Sequence, residues 1–451
     1  MKISRIELYF VSIPLAGEEP GFFATRESFR PNWIPGFRQQ DVKFYLLRLI
    51  TDSGLDGVAA MPAMGTERVG LGGLLGSYLL GLNPLDIGMA NQRIEEFGYI
   101  GMRNGWMDAA FWDLAGKARR EPVWKLLGGT GGAARPYASL GSNYEHDAAR
   151  VAALVRRRRD EGYAGVKVRV KSMDLGRMVE LIAAARDAAG PTLQLMVDVN
   201  LGWPVTILEP SPRWNEDFAA QFATATEKYD VAWIEEPLHR GDFEALARLR
   251  KRTKTPIAGG EINSSWRDFK NMLDLGSIDV YQPDAVMAGG TFAGGISVVY
   301  WLIREIQRRN RARPAGEKAI RYTPHTWTNG LGFAANLQLF GVLPPDERGL
   351  LEYPCDDLWE PRHWARFIRG HFARDANGNI PVPDGPGLGI EIDWEVIRRF
   401  GKRVYVGTKA SVAMAALSEY GLREALYLKQ KKDLLAMAGE GVEFKIPEPP
   451  F

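Results

Sequence analysis

The chain has 451 residues, 45% hydrophobic and 25% charged, with a formal net charge of +2 and a single cysteine, Cys355. That length exceeds one small core and predicts two domains, or one barrel with additions. The near-neutral balance excludes a dominant basic surface, so no nucleic-acid partner is expected. A lone cysteine forms no internal disulfide, which fits a cytoplasmic location.

The opening MKISRIELYFVSIPL alternates like a strand, at Ile3, Ile6, Leu8 and Phe10, and lacks the apolar core and cleavage site of a signal peptide. Residues 3–12 and 42–51 predict strands, and Ser53-Gly54-Leu55-Asp56-Gly57 supplies hairpin turn chemistry. Between them, residues 17–40 carry Phe22, Phe23, Arg26, Arg30, Trp33 and Phe37. A segment of that length reads either as a lid over a site or as a loop packed on its own surface. Residues 69–85 are uncharged but Gly-rich and too short for a membrane span, so they predict a packed helix and no membrane partner. Residues 102–127 show helical spacing at Met107, Ala110, Phe111, Leu114 and Ala115, closing at Gly128-Gly129.

From about Arg135 short strand-like runs alternate with amphipathic helical stretches, the pattern of repeated βα units. Eight runs stand near 137–141, 166–170, 193–198, 231–235, 256–260, 279–282, 319–323 and 349–353. Eight such units imply a closed TIM-type barrel. Two connecting loops are oversized, 201–215 and 310–318, and a helical tail is expected after about Asp393. The arginine clusters 156–159 and 308–313 lie on or beside outer helices and predict solvated faces.

Three consecutive barrel runs end in carboxylates: Asp198, Glu235 and Glu261. One acidic residue at a strand end is often a helix N-cap. Three in order can converge at the mouth, where their repulsion calls for a cation, and all-oxygen ligation with an open position favours Mg2+. The later runs add Gln282-Pro283-Asp284, Thr323-Pro324-His325 and Leu351-Glu352-Tyr353. Of the five histidines, only His325 ends a predicted strand with an acidic partner on the preceding one. His146, His239, His363 and His371 fall on helices or loops, where surface or packing roles are expected.

With these motifs, with Ala110-Phe-Trp-Asp113-Leu-Ala-Gly-Lys117 and Leu126-Leu-Gly-Gly129, and with Pro386-Gly-Leu-Gly389 before Ile390-Glu-Ile-Asp393, the chain resembles the enolase superfamily, in its mandelate racemase-like subgroup, over about 1–400. The resemblance implies a (β/α)7β-like barrel with an α+β N-terminal capping domain. The cap would span 1–130, with a specificity loop near 17–40. The barrel would span 131–385, and 386–451 would return to the cap and add the tail. The resemblance also implies Asp198, Glu235 and Glu261 as Mg2+ ligands, Asp284 and His325 as a dyad, and Glu352 serving a substrate carboxylate oxygen. A homo-oligomer, dimer to octamer, is expected on the same ground.

The second strand departs from the family pattern. Where relatives carry Lys-x-Lys, this chain has Lys167-Val168-Arg169, and residues two apart share one strand face. Arginine stays protonated and does not serve as a base. Lys167 is either a base, its pKa lowered by Arg169 and the metal, or a carboxylate binder. With His325 as the one clear base, the simplest reaction is dehydration of an aldonic or aldaric acid. The α-proton is abstracted, the enediolate is stabilised by Mg2+, and the β-hydroxyl is eliminated to a 2-keto-3-deoxy acid. An epimerase, racemase or lactone cycloisomerase using Lys167 and His325 is the alternative, and a non-catalytic barrel is opposed by the complete residue set. Asn200, Trp203, Trp327 and Asn329 either line the substrate pocket or pack behind it, and Arg26 joins them as a substrate-binding candidate. Glu236 is expected to point away from the metal or to support a neighbour.

Overall fold

The structure, a computed structural model, describes residues 1–16, 28–99, 103–141, 147–290, 293–356, 358–370, 372–438 and 441–451. The candidate Arg26, with Phe22 and Phe23, and the histidines His146 and His371 lie outside the described residues.

The cap is built on long N-terminal strands. Strands β1 (Ile3–Pro14), β2 (Asp41–Thr51) and β3 (Asp56–Pro62) form an antiparallel meander, with Leu47 opposite both Leu8 and Ala59. Helix Asp108–Arg119 packs on β3 so closely that a Cβ at Gly57 would lie 2.1 Å from the Ala110 carbonyl oxygen. The helix expected over 102–127 is broken. It begins as a 3-10 turn, Gly105–Met107, stops where Arg120 turns left-handed (φ 56), and restarts as Val123–Leu126. Pro122 explains the break, because proline disfavours helical geometry in the residue before it. The helix expected over 69–85 shrinks to Gly72–Leu79, after the 3-10 turn Val69–Leu71.

After a two-residue strand β4 (Ala133–Ala134), the barrel strands follow in order. They are β5 (Pro136–Ser139), β6 (Gly165–Arg169), β7 (Gln194–Asp198), β8 (Val231–Glu235), β9 (Ile257–Gly259), β10 (Val280–Tyr281), β11 (Arg321–Tyr322) and β12 (Leu351–Pro354). They make one parallel sheet in the order β11-β10-β9-β8-β7-β6-β5-β12, a TIM-type barrel in which the eighth strand closes onto the first. Between β11 and β12, Thr326 Oγ1 donates to the Glu352 carbonyl at 3.1 Å. Tyr137, Met196, Trp233, Ala258, Val280 and Leu350 fill the interior. Most outer helices have their own N-caps, among them Asp174, Asn215, Asp242 and Ser265, so the carboxylates at the strand ends are not needed as caps.

Cap and barrel are joined by buried polar groups. Asp108, in the first turn of its cap helix, accepts from the Ile296 and Ser297 backbone N–H groups (3.3 and 3.1 Å) and from Ser297 Oγ (2.9 Å). It thereby caps the barrel helix Gly295–Ala312 from another domain.

The chain after Asp393 is not helical throughout. A short strand pair, β13 (Ile380–Pro381) with β4, precedes helix Trp394–Phe400. Then β14 (Gly401–Thr408) adds to the cap sheet beside β1, antiparallel. Only the open edge of β1 makes a strand of this stretch. The helix Lys409–Ala438 follows, interrupted at Gly421 (φ 79), and the last residues run back over the junction. Trp301 Nε1 donates to the Pro447 carbonyl at 2.6 Å, and Trp266 Nε1 donates to the Phe451 carbonyl at 3.0 Å. Among the described residues no helix is long and apolar enough to cross a membrane.

The expected solvated face at 156–159 needs one correction. Arg158 is buried, donating through Nη2 to the Cys355 carbonyl at 2.6 Å and through Nη1 to Glu161 at 2.7 Å.

Candidate active site

The strand ends of β6 to β12 bring the predicted residues together at one mouth. Asp198, Glu235 and Glu261 are all buried, and each offers a carboxylate oxygen within 4.8 Å of the others. Burial and mutual repulsion push Glu235 up to about 8, with Lys167 opposing, and burial likewise raises Glu261. The cluster is therefore short of positive charge, and its hard oxygen donors suit a divalent ion such as Mg2+.

The second-strand cations stand against these carboxylates. Lys167 Nζ lies 2.6 Å from Glu235 Oε1, 2.7 Å from Glu352 Oε1 and 3.5 Å from Asp198 Oδ2. Burial alone would lower its pKa, but Glu235 and Glu352 outweigh burial and hold it well above the ordinary value. Three carboxylates surround the ammonium, and Arg169 is turned elsewhere. Arg169 Nη1 donates to Asp198 Oδ2 (2.6 Å) and Asn200 Oδ1 (2.5 Å), and Nε donates to the Leu140 carbonyl (2.9 Å). Its guanidinium lies against both Trp33 and Trp327, 5.1 and 5.2 Å from the ring centroids.

The dyad geometry is present. His325 Nδ1 lies 2.8 Å from Asp284 Oδ2, and its Nε2 lies 3.6 Å from Glu261 Oε2. Burial would lower the imidazole's pKa, but Glu261 and Asp284 raise it to about 10. Asp284 Oδ1 is fixed by the Val286 N–H at 2.7 Å and Asn336 Nδ2 at 3.1 Å. Glu352 takes Ser139 Oγ and the Thr326 N–H, both at 2.8 Å. Burial opposes its ionisation, yet Lys167 and His325 bring it down to about 2.

The substrate-pocket candidates separate. Asn200 lies beside the triad, its backbone N–H on Asp198 Oδ1 at 2.9 Å and its φ at +47. Trp327 is buried and donates to Ser139 Oγ at 2.8 Å. Asn329 caps the helix Gly330–Phe340 through Leu331 and Gly332, and Trp203 is 51% exposed on the long loop. From the long N-terminal segment, Asn32 donates to Asn200 Oδ1 (3.3 Å), and Trp33 lies against Arg169. Two residues were not singled out for this mouth. Lys171 extends the alternation of Lys167 and Arg169, a signal present in the sequence. Glu236, expected to point away from the metal or to support a neighbour, is buried, and its pKa is raised well above normal by burial and by Glu261, Asp198 and Glu235.

Comparison with known proteins identifies the family. The enolase C-terminal domain-like family model matches residues 150–297 and 306–396, and the mandelate racemase/muconate lactonizing enzyme N-terminal domain model matches 24–128. The chain belongs to the enolase superfamily of enzymes, in its mandelate racemase/muconate lactonizing branch. It is 30% identical over 302 residues to D-galactarolactone cycloisomerase of Agrobacterium fabrum, covering 65% of this chain and 72% of that one. It is 34% identical over 295 residues to 3,6-anhydro-alpha-L-galactonate cycloisomerase of Streptomyces coelicolor (65% and 70%). L-talarate/galactarate dehydratase of Salmonella typhimurium is 30% identical over 219 residues, 47% of this chain and 52% of that one. A crystal structure of that dehydratase, liganded with Mg and L-lyxarohydroxamate, superposes with a TM-score of 0.68 at 21% identity, over 90% of this chain and 94% of that one.

Proposed function

We propose that the protein is a Mg2+-dependent dehydratase of an acid sugar, an aldonate or aldarate, which it converts to a 2-keto-3-deoxy acid. The observation that carries this reading is the asymmetry of the two faces. His325 presents Nε2 to the acidic cluster with Nδ1 held by Asp284, while Lys167 is locked between Glu235 and Glu352 and Arg169 is spent on Asp198, Asn200 and Leu140. One face carries an imidazole that a bound cation can free to act as a base, whereas on the other the lysine and the arginine are held in ion pairs.

Asp198, Glu235 and Glu261 would hold Mg2+, whose positive charge would stabilise the enediolate and offset the carboxylates that keep His325 protonated. Lys167 orients the carboxylate, and Glu352 holds the lysine in place. His325 takes the α-proton at Nε2, and Asp284 fixes the ring and supports the imidazolium. The proton then passes to the β-hydroxyl, which departs as water, and the enol tautomerises to the ketone. The named dehydratase relative and the Mg in its crystal structure support substrate class and metal. The buried free Cys355 suits a reducing cytoplasm, and assembly as a homo-oligomer completes the proposal.

The cycloisomerase relatives favour a second reading, a lactone-opening or lactone-forming isomerase in which Lys167 protonates or deprotonates the opposite face. Incubation with Mg2+ and a panel of aldonates, aldarates and their lactones, with keto-acid assay and NMR of α-proton exchange in D2O, separates the two. Keto acid from one stereochemical set, abolished by His325→Asn, supports the dehydratase. Exchange or lactone interconversion without keto acid replaces it with the isomerase.

A further inference from the structure

The helix Gly330–Phe340 is buried along its whole length, and most of its residues are apolar. Two amides interrupt it, Asn336 and Gln338, both fully buried. A buried amide is costly unless its polar atoms find partners, so its bonds show what it holds. Residues two apart on a helix do not face each other, and the two amides serve different neighbours. Gln338 accepts from the Trp124 N–H at 2.9 Å and donates to the Pro383 and Leu388 carbonyls at 2.9 and 3.1 Å. It fastens the helix to its surroundings and makes no bond to the dyad.

Asn336 turns to the dyad. Its Oδ1 accepts from the Ala285 N–H at 2.9 Å, and its Nδ2 donates to Asp284 Oδ1 at 3.1 Å and to the His325 carbonyl at 3.0 Å. The Ala285 N–H can only donate, which settles that the NH2 end of the amide faces Asp284. One side chain thus joins the chain after β10 to the chain after β11. Local sequence sets the spacing: Asn329 caps the helix four residues after His325, and Asn336 lies about two helical turns beyond that cap.

The two oxygens of Asp284 have separate partners. Oδ2 lies 2.8 Å from His325 Nδ1, while Oδ1 takes the Asn336 amide and the Val286 N–H at 2.7 Å. Donors on Oδ1 fix the rotation of the carboxylate, and that rotation decides where Oδ2 stands. The Val286 N–H belongs to Asp284's own turn and moves with it, whereas Asn336 ties that turn to His325 from a third element. We propose that Asn336 is a positioning residue for proton abstraction, clamping the Asp284 carboxylate and the His325 backbone at one fixed separation. This rests on His325 being the base, a step that the dehydratase and isomerase readings share.

The test uses the full-length Mg2+ form of wild type, Asn336→Ala, Asp284→Asn, the double variant and Gln338→Ala, assayed for α-proton exchange in D2O where all are folded. Asn336→Ala should slow exchange by about tenfold to hundredfold with KM within about twofold, the order expected when a reacting group is misplaced by about 1 Å. In the Asp284→Asn background the same change should cost less than about threefold, because the carboxylate it positions is already gone. Gln338→Ala should lower the thermal midpoint and leave the exchange rate within about twofold. An unchanged rate in Asn336→Ala, losses that multiply in the double variant, or an equal loss in Gln338→Ala would overturn the positioning role and leave the dehydratase standing.

A second readout needs no substrate. With isotopically labelled histidines, the Nδ1–H of His325, identified by its absence in His325→Asn, should give a downfield proton resonance in wild type and in Gln338→Ala. If wild type exchanges the α-proton of no acid in the panel, the dehydratase reading falls, and this resonance decides the clamp by itself. Lost in Asn336→Ala, it supports the clamp; kept there, it overturns it.

Discussion

The ring of His325 is held at both nitrogens by carboxylates from different strands, with Nδ1 2.8 Å from Asp284 Oδ2 and Nε2 3.6 Å from Glu261 Oε2. One carboxylate orients the base, and the other belongs to the cluster that can bind the cation. The imidazole and the carboxylate cluster are thereby set side by side.

Asp284→Asn keeps the shape of the site but removes the charge that supports the imidazolium. Proton exchange at the α-carbon, followed by NMR in D2O with saturating Mg2+, should fall by roughly 10²–10⁴-fold, with KM little changed. An unchanged exchange rate would remove Asp284 from the dyad.

Lys167→Met deletes the ammonium that lies within 2.7 Å of both Glu235 and Glu352. Uncompensated buried carboxylates cost on the order of 3–5 kcal/mol. The variant should melt well below wild type in EDTA and recover much of the difference on adding Mg2+. Equal deficits with and without Mg2+ would show that the lysine and the metal do not share these carboxylates.

Asp108, buried at the cap–barrel junction, has its pKa raised to about 6 from an ordinary 3.8, chiefly by burial. The folded state therefore binds this proton more tightly than the unfolded chain. Its contribution to stability is full below about pH 3.8 and is lost as pH rises through about 6, up to about 3 kcal/mol for this one group. Asp108→Asn should remove that downward slope between pH 4 and 6 in urea unfolding curves. A slope identical to wild type would show that Asp108 does not titrate in that window.

Removing residues 443–451 takes away Phe444, whose ring meets that of buried Trp112 at 5.8 Å, and the carbonyl acceptors of Trp301 and Trp266. Exposing this seam should cost roughly 2–4 kcal/mol and lower the thermal midpoint. A midpoint equal to that of the full chain would mean the tail rests on the junction without stabilising it.

Much of the site was legible because barrel chemistry is linear in sequence. Asp198, Glu235, Glu261, Asp284, His325 and Glu352 each end a short apolar run. Parallel strands in sequential order must carry such ends to one face. The Lys167–Arg169 pair was legible for the same reason, through the alternation of a strand.

Other features depended on neighbours far away in the chain. Strand β14 exists because β1 offers it an open edge, and Arg158 is buried because Cys355, on the far side of the barrel sequence, presents a carbonyl to it. Lys167 holds its proton because carboxylates from β8 and β12 close around it. Local pattern alone therefore determined the barrel, the order of its polar strand ends and which titratable residues stand at them. Tertiary structure decided which charges meet, and with it the pairing of Lys167 with Glu235 and Glu352 and the burial of Glu236. The physical reason is that strand periodicity is written into adjacent residues, whereas burial and Coulomb energy depend on distances that only the closed fold sets.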